Sequence, residues 1–539
     1  MLAACPVLAL YGQNAATLTI DRIYPALTVF VVVTFVVWLV IARACRDIHR
    51  AGAATSVCVM TGFLAWPILE TAIEFAVPIR GALPTFIAIT CVVIAVIAAS
   101  AAWYMYVQTR VGRVLIGVAL ILVLILAIGT APAFGRRAAI AIALYTVTSG
   151  VIAGSLLFFR GDQFRLTSSA NVFGGALLIL YAGYALLQDR AQAMLPQWPP
   201  SILGSDPLFE YSKTRSELPD VYVFALDGYP REDVLAEAFQ FDNTPFLDDL
   251  TEQGFVIAQG AHSADTEPVQ ALAACFNFAP VDDWLPESLS ENARAHYIQR
   301  ALDQGQLLPA LRKQGYELTG FDSGIEALRP SQQFDEIIRP MTPLREFERI
   351  LFDRTIAARA FQFYFYVRYR NPVYWQFEPT RRYVNFVFDQ MPLIAEQDSE
   401  KPRFVFAYMP VPEPPFLFRN DGERAYPYAI GPLDTARLFF DPQLHRHAFL
   451  DQLGHLNHRL SKTVRDIQVN AKGPSVIMLV SLRGAALRGA VEGPPPRAQV
   501  FAAARGVDTA STDKDDVLLV EWFGATIRSA IMSQANSRP

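Results

Sequence analysis

Two patterns of apolar and polar positions divide the chain. Up to residue 188 the apolar residues come in blocks close to the roughly 20 residues that cross a bilayer. The blocks are Ile23–Ala42, Ala54–Ile73, Thr85–Val107, Val114–Ala131, Ala138–Phe158 and Val172–Leu187. A shorter opening stretch, Leu2–Tyr11, reads as a short or incomplete span. The pattern predicts an all-α bundle of six or seven membrane helices over residues 1–188. Residues 189–217 are polar, Pro-rich and without period, and read as a tether. Beyond them the apolar runs shorten to Asp220–Leu226, Tyr316–Phe321, Phe404–Met409 and Ser475–Val480. Their β-branched and aromatic content predicts strands buried on both faces. Helical patterns over Thr244–Gln253, Gln306–Gln314, Leu344–Arg370 and Phe449–Gln468 separate them. This alternation predicts an α/β doubly wound domain with a parallel sheet over residues 218–539.

Charge sharpens the division. Residues 1–200 hold 12 Arg, no Lys and 6 acids, whereas the remainder holds 34 basic and 45 acidic side chains. The overall mean hydropathy of +0.25 therefore averages two unlike halves. An acidic soluble half with no basic stripe excludes nucleic acid as a partner. Arg43, Arg46, Arg50, Arg110, Arg113, Arg160 and Arg165 fall on one side of the predicted bundle; Arg22, Arg80, Arg136 and Arg137 fall on the other. The richer side is cytoplasmic, so residues 218–539 lie outside with either six or seven spans. Glu70 and Glu74 read as interfacial carboxylates, and no span carries an ionisable ladder, which disfavours a transporter. Four of the five cysteines precede residue 100, leaving Cys275 with no partner for a disulfide in the soluble half.

In doubly wound sheets the ligand site lies beyond the C-terminal strand ends. Here those ends carry Asp227-Gly228-Tyr229, Pro412-Glu413-Pro414-Pro415-Phe416 and Leu482-Arg483-Gly484. Together with Phe241–Leu247, Gly254-Phe255, Ala271–Asn277, Asp421-Gly422 and the segment around Gln452 and Asn457, the order of these motifs resembles the sulfatase-like branch of the alkaline phosphatase superfamily. More narrowly, the chain is similar to bacterial multi-span membrane proteins distantly related to lipoteichoic acid synthases and phosphoethanolamine transferases.

The resemblance implies a divalent metal. An acid after the first strand holds it, with a Thr or Ser nucleophile at a helix start and an Asp-His pair before a Gly. A His in a Pro-Pro-Phe loop meets the substrate. Asp227 keeps the acid, as a vestigial metal ligand. The nucleophile position falls on Pro268, with Thr266 two residues earlier as the one substitute. Glu413 stands where the substrate His belongs, and Leu482-Arg483 replaces Asp-His. A cation at a ligand position opposes metal binding. The expected site is degenerate and needs no cofactor, with Glu413 and Arg483 as substrate- or anion-binding candidates. Arg483, with Arg488, could hold a phosphate or sulfate; a salt bridge from Arg483 to Asp227 is the competing outcome.

The resulting expectation is an inner-membrane protein with an extracytoplasmic domain, acting in binding or assembly. Its partners are the lipid bilayer and envelope glycans, lipids or assembly proteins. The alternative is an active metal-dependent phosphoryl- or sulfo-ester hydrolase or transferase using Thr266. Other candidates are weaker. Cys275 lacks the Pro-x-Arg that follows a sulfatase nucleophile and reads as core. His445, His447, His455 and His458 read as a solvated helix face, and Gly484–Gly489 lacks the Lys of a phosphate loop. The aromatic stretch Phe361–Trp375 reads as core, or as a surface for headgroups or glycans.

Overall fold

The structure is a computed structural model. It describes residues 23–49, 218–341, 346–353, 374–425, 442–485, 498–507 and 516–532, with scattered positions within 7–11, 51–59 and 175–183, and at 355 and 358. The chain divides into two units. One holds Met1–Ala193, Leu344–Gln376 and Ile430–Thr435; the other holds the remaining residues.

In the first unit, helix α1 (Tyr24–Cys45) matches the first full apolar block. Pro25 suits its first turn, where the missing N–H has no partner to lose. Arg46 ends it in the left-handed conformation, its N–H donating to the Ala42 carbonyl. Among the described residues this is the one helix long and apolar enough to cross a membrane. The five later blocks, with Glu70 and Glu74, lie outside the described residues except for those scattered positions.

In the second unit, β1 (Asp220–Asp227) runs parallel to β6 (Arg403–Pro412) on one side and β7 (Ser475–Ser481) on the other. All four predicted strands are present. Outside β6 lie β4 (Glu317–Phe321) and the short β5 (Glu336–Ile338), both parallel. Outside β7 lie β8 (Ala502–Arg505) and β2 (Phe255–Ile257), and here expectation fails. β8 runs antiparallel to both neighbours, so the seven-stranded sheet is mixed. Its run Ala502-Ala503-Ala504 has little β propensity, and it forms because β7 and β2 pair with it on both sides.

Central β1 alternates between two cores. Val221, Val223 and Ala225 face one side, packed with helices α4 (Pro268–Asn277), α5 (Val281–Trp284), α6 (Glu291–Asp303), α7 (Leu307–Lys313) and α11 (Leu519–Met532). Tyr222, Phe224 and Leu226 face the other, packed with α2 (Glu232–Glu237), α3 (Thr244–Glu252), α9 (Tyr374–Glu396) and α10 (Pro442–Asn470). Helices on both faces explain why the run is continuously apolar. The predicted helices at 244, 306 and 449 are present. Of the predicted helix Leu344–Arg370, the described part is α8 (Glu346–Asp353), and most of the aromatic stretch lies outside the described residues. Helix α9 was not foreseen, because Pro379 and Pro392 lie within it.

Candidate functional site

The polar groups at the strand ends are positioned by backbone pairing. Register shifts between Leu226 and Asp227, so that Leu226 faces Met409 while Asp227 faces Pro412. The bulge carries β6 further than its neighbour and turns Glu413 back over β1. The Glu413 N–H donates to the Asp227 carbonyl at 2.9 Å. On the other side, the Leu482 N–H donates to the Leu226 carbonyl at 2.9 Å, which sets Arg483 beside the same strand end. Gly228 makes the approach possible. Its φ is +82°, and a Cβ there would lie 2.6 Å from Glu413 Oε2.

Three of the four predicted site residues meet. Arg483 Nε donates to Asp227 Oδ1 at 2.5 Å, and its terminal nitrogen donates to Oδ2 at 3.2 Å. The same guanidinium lies 3.6 Å from Glu413 Oε1. The side chains of Asp227 and Arg483 are 6% and 12% exposed, so the pair is nearly dry. Burial alone pulls the Arg483 pKa down; hydrogen bonds and charge from Asp227, then Glu413, outweigh it and raise the pKa. Arg483 therefore holds its charge at any accessible pH. Of the two outcomes set out for Arg483, the salt bridge to Asp227 is the one present. Arg488 lies outside the described residues.

Thr266 is not bonded to this cluster. It is exposed, two residues before α4, and makes no hydrogen bond to Asp227, Glu413 or Arg483. Pro268 is buried as the first residue of α4. Between β3 (Ala261–His262) and α4, Asp265 is buried, and burial first, then the charge of Asp282, pushes its carboxyl up to about 6. Cys275 is core, as expected.

Two contributors had no site role assigned from sequence. Buried Tyr408 donates its hydroxyl to Asp227 Oδ2 at 2.7 Å. Burial, then the Asp227 charge, raises the Tyr408 pKa well above its ordinary value. A tyrosine within an otherwise apolar strand was the available signal, since a buried hydroxyl needs a partner. Gln452 is the second. It is fully buried on α10, donates to the Pro412 carbonyl at 2.9 Å, and accepts from the Leu417 N–H at 2.6 Å. It clamps both ends of the Glu413 loop. Its signal was a polar residue in register with Phe449, Leu453 and Leu456 on an apolar helix face. Gln452→Ala leaves a buried donor and a buried acceptor unmatched. The expected loss is about 2 kcal/mol, read from denaturant unfolding, with Gln452→Met no better.

The histidine reading needs correction. His447 and His458 are exposed, but His455 is buried and stacks on Phe418, ring centroids 4.7 Å apart. His445 is also buried, edge-on to Phe416. The loop from Phe416 to Gly422 covers that face of α10, which the helix sequence alone does not disclose. Burial first, then Arg459, Arg381 and His458, lowers the His455 pKa to about 4, with Asp421 opposing.

The divalent metal implied by the sequence resemblance does not fit these residues. Its cation position beside Asp227 is taken by a guanidinium, and the described residues contain no group of three or more His, Cys, Asp or Glu side chains able to hold a metal ion.

No protein-family model and no curated protein matches the chain. Several solved structures do. The zinc complex of the C-terminal periplasmic domain of EptC from Escherichia coli is 10% identical, with 62% of this chain and 91% of that chain covered and a TM-score of 0.37. The integral membrane lipooligosaccharide phosphoethanolamine transferase A of Neisseria meningitidis is 12% identical, with 91% and 97% covered and a TM-score of 0.37. An alkaline phosphatase superfamily protein from Vibrio parahaemolyticus is 14% identical, with 66% and 78% covered and a TM-score of 0.36. All three are under 15% identical to the chain, with TM-scores below 0.4.

Proposed function

We propose that the protein is a multi-pass inner-membrane protein whose extracytoplasmic domain has exchanged metal-dependent ester chemistry for binding or assembly at the cell envelope. Residues 1–188 form the membrane bundle, 189–217 the tether and 218–539 the outer domain. One observation supports the loss of chemistry more than any other. The Arg483 guanidinium is bonded to both carboxylate oxygens of Asp227 and lies within ion-pair distance of Glu413. A fixed cation there satisfies the acid that would otherwise hold a metal, and among the described residues the hydroxyl bonded to Asp227 is that of buried Tyr408, not that of Thr266. Units that act together in catalysis lose far more than one factor of about 10²–10³ when several members are missing. The retained parts, a self-paired charge cluster under a clamped loop, fit a scaffold for binding or assembly better than a catalytic centre.

The purified full-length protein is expected to contain no stoichiometric divalent metal and to cleave neither phosphodiesters nor sulfate esters above background. Metal analysis and turnover assays on wild type, Asp227→Asn and Thr266→Ala decide the matter. Wild-type turnover that vanishes in a folded variant establishes the active alternative, and its loss in Thr266→Ala assigns Thr266 as nucleophile.

A further inference from the structure

Within the first unit, the start of α1 is not bare. Ile23, Ala26, Leu27 and Phe30, on its first two turns, pack with Val7, Leu8, Leu10 and Tyr11. Three residues from the opposite half of the chain join them: Phe347, Ile350 and Leu351 of α8. Phe347 and Leu351 are 3% and 1% exposed. They are spaced i, i+3, i+4, which makes α8 a short amphipathic helix with Glu348, Arg349 and Asp353 on its other faces.

Depth and side follow from α1. Its 22 residues rise about 33 Å, close to the hydrocarbon thickness of a bilayer. Beyond the second turn its side chains are open: Val32, Phe35, Val36 and Val40 are 51% to 61% exposed, as lipid-facing residues are. The α8 contact covers only about the first 10 Å of that rise. This is the depth at which an amphipathic helix rests between headgroups and acyl chains. Arg43, Arg46 and Arg50 mark the far end of α1 as cytoplasmic, so α8 lies at the outer end.

We infer that α8 (Glu346–Asp353) is an interfacial anchor. A segment of the soluble half returns to the outer leaflet and is seated there against the first membrane helix. The C-terminal half then has two attachments to the membrane, the 189–217 tether and α8. The inference rests on the proposed membrane topology and adds to it a second attachment, made by the packing of α8 on α1 at the depth of the outer interface.

The test is to insert a site for a sequence-specific protease into residues 189–217 of the full chain, cut right-side-out membrane vesicles from outside, and wash them with high salt. The C-terminal fragment of the wild type is expected to sediment with the membranes. In Phe347→Asp/Leu351→Asp most of it is expected to move to the supernatant, with its protease resistance retained. If that variant loses its resistance, the milder Phe347→Ala/Leu351→Ala pair takes its place. A wild-type fragment released by cutting, or a folded variant fragment that stays bound like wild type, overturns the anchor while leaving the topology standing. Uncut protein that fails to sediment, or a tether cut only from the cytoplasmic side, overturns the topology and the anchor with it.

Discussion

Arg483→Leu is expected to destabilise the protein by about 3–5 kcal/mol, because it leaves two buried carboxylates without their shared cation. The Asp227 and Glu413 side chains are only 6% and 13% exposed, so water replaces little of what the guanidinium supplies. Asp227→Asn alone should also be costly, since it strips Arg483 of its bidentate partner and weakens the acceptor for the Tyr408 hydroxyl. The informative variant is Asp227→Asn/Glu413→Gln/Arg483→Leu. With every charge removed, the desolvation penalty disappears with the attraction, and most of the loss should be recovered. Denaturant unfolding of the full-length protein in detergent measures all of these. A triple variant no more stable than Arg483→Leu would show that the cluster stabilises through shape rather than charge. An Arg483→Leu protein as stable as wild type would show that the ion pair is too well solvated to matter.

The legibility of this cluster differed from residue to residue. Asp227, Glu413 and Arg483 could be placed from sequence because each follows a strand whose apolar run is unmistakable, and parallel strands deliver their C-terminal ends to one edge. Thr266 could not. The segment before α4 contains the two-residue strand β3, too short to show any period, so its path over the strand ends was not specified by pattern. Strand β8 was hidden for a related reason: three alanines mark a buried position without marking a strand. Helix α9 was hidden by prolines. Pro392 removes one backbone donor in mid-helix, and the surrounding side chains Val387, Phe388, Met391 and Ile394 hold the helix by packing. The burial of His455 depended on a loop about 35 residues away in sequence, which helix periodicity cannot report.

That buried histidine and the buried Asp265 give opposite responses to acid, and removing either should expose the other. His455 titrates near 4 in the folded protein, against about 6.5 when unfolded. The unfolded chain therefore takes up a proton first as pH falls, and this group withdraws stability between about pH 6.5 and pH 4. Asp265 titrates near 6 folded and about 3.9 unfolded, so the folded protein takes its proton first. It restores stability over nearly the same window. Each group is under a tenth exposed, and a shift of about 2 units is worth about 3 kcal/mol at full effect. In the wild type the two contributions nearly offset. His455→Phe keeps the ring stacked on Phe418 and should gain stability, relative to wild type, on going from about pH 7 to pH 4. Asp265→Asn should lose it over the same range. Remaining carboxylates titrate alike in both variants and cancel from the comparison, so the two stability curves should diverge by about 5 kcal/mol. Unfolding midpoints measured across that range read the divergence directly. Parallel curves would mean that water reaches both groups in solution and that neither is held in its buried state.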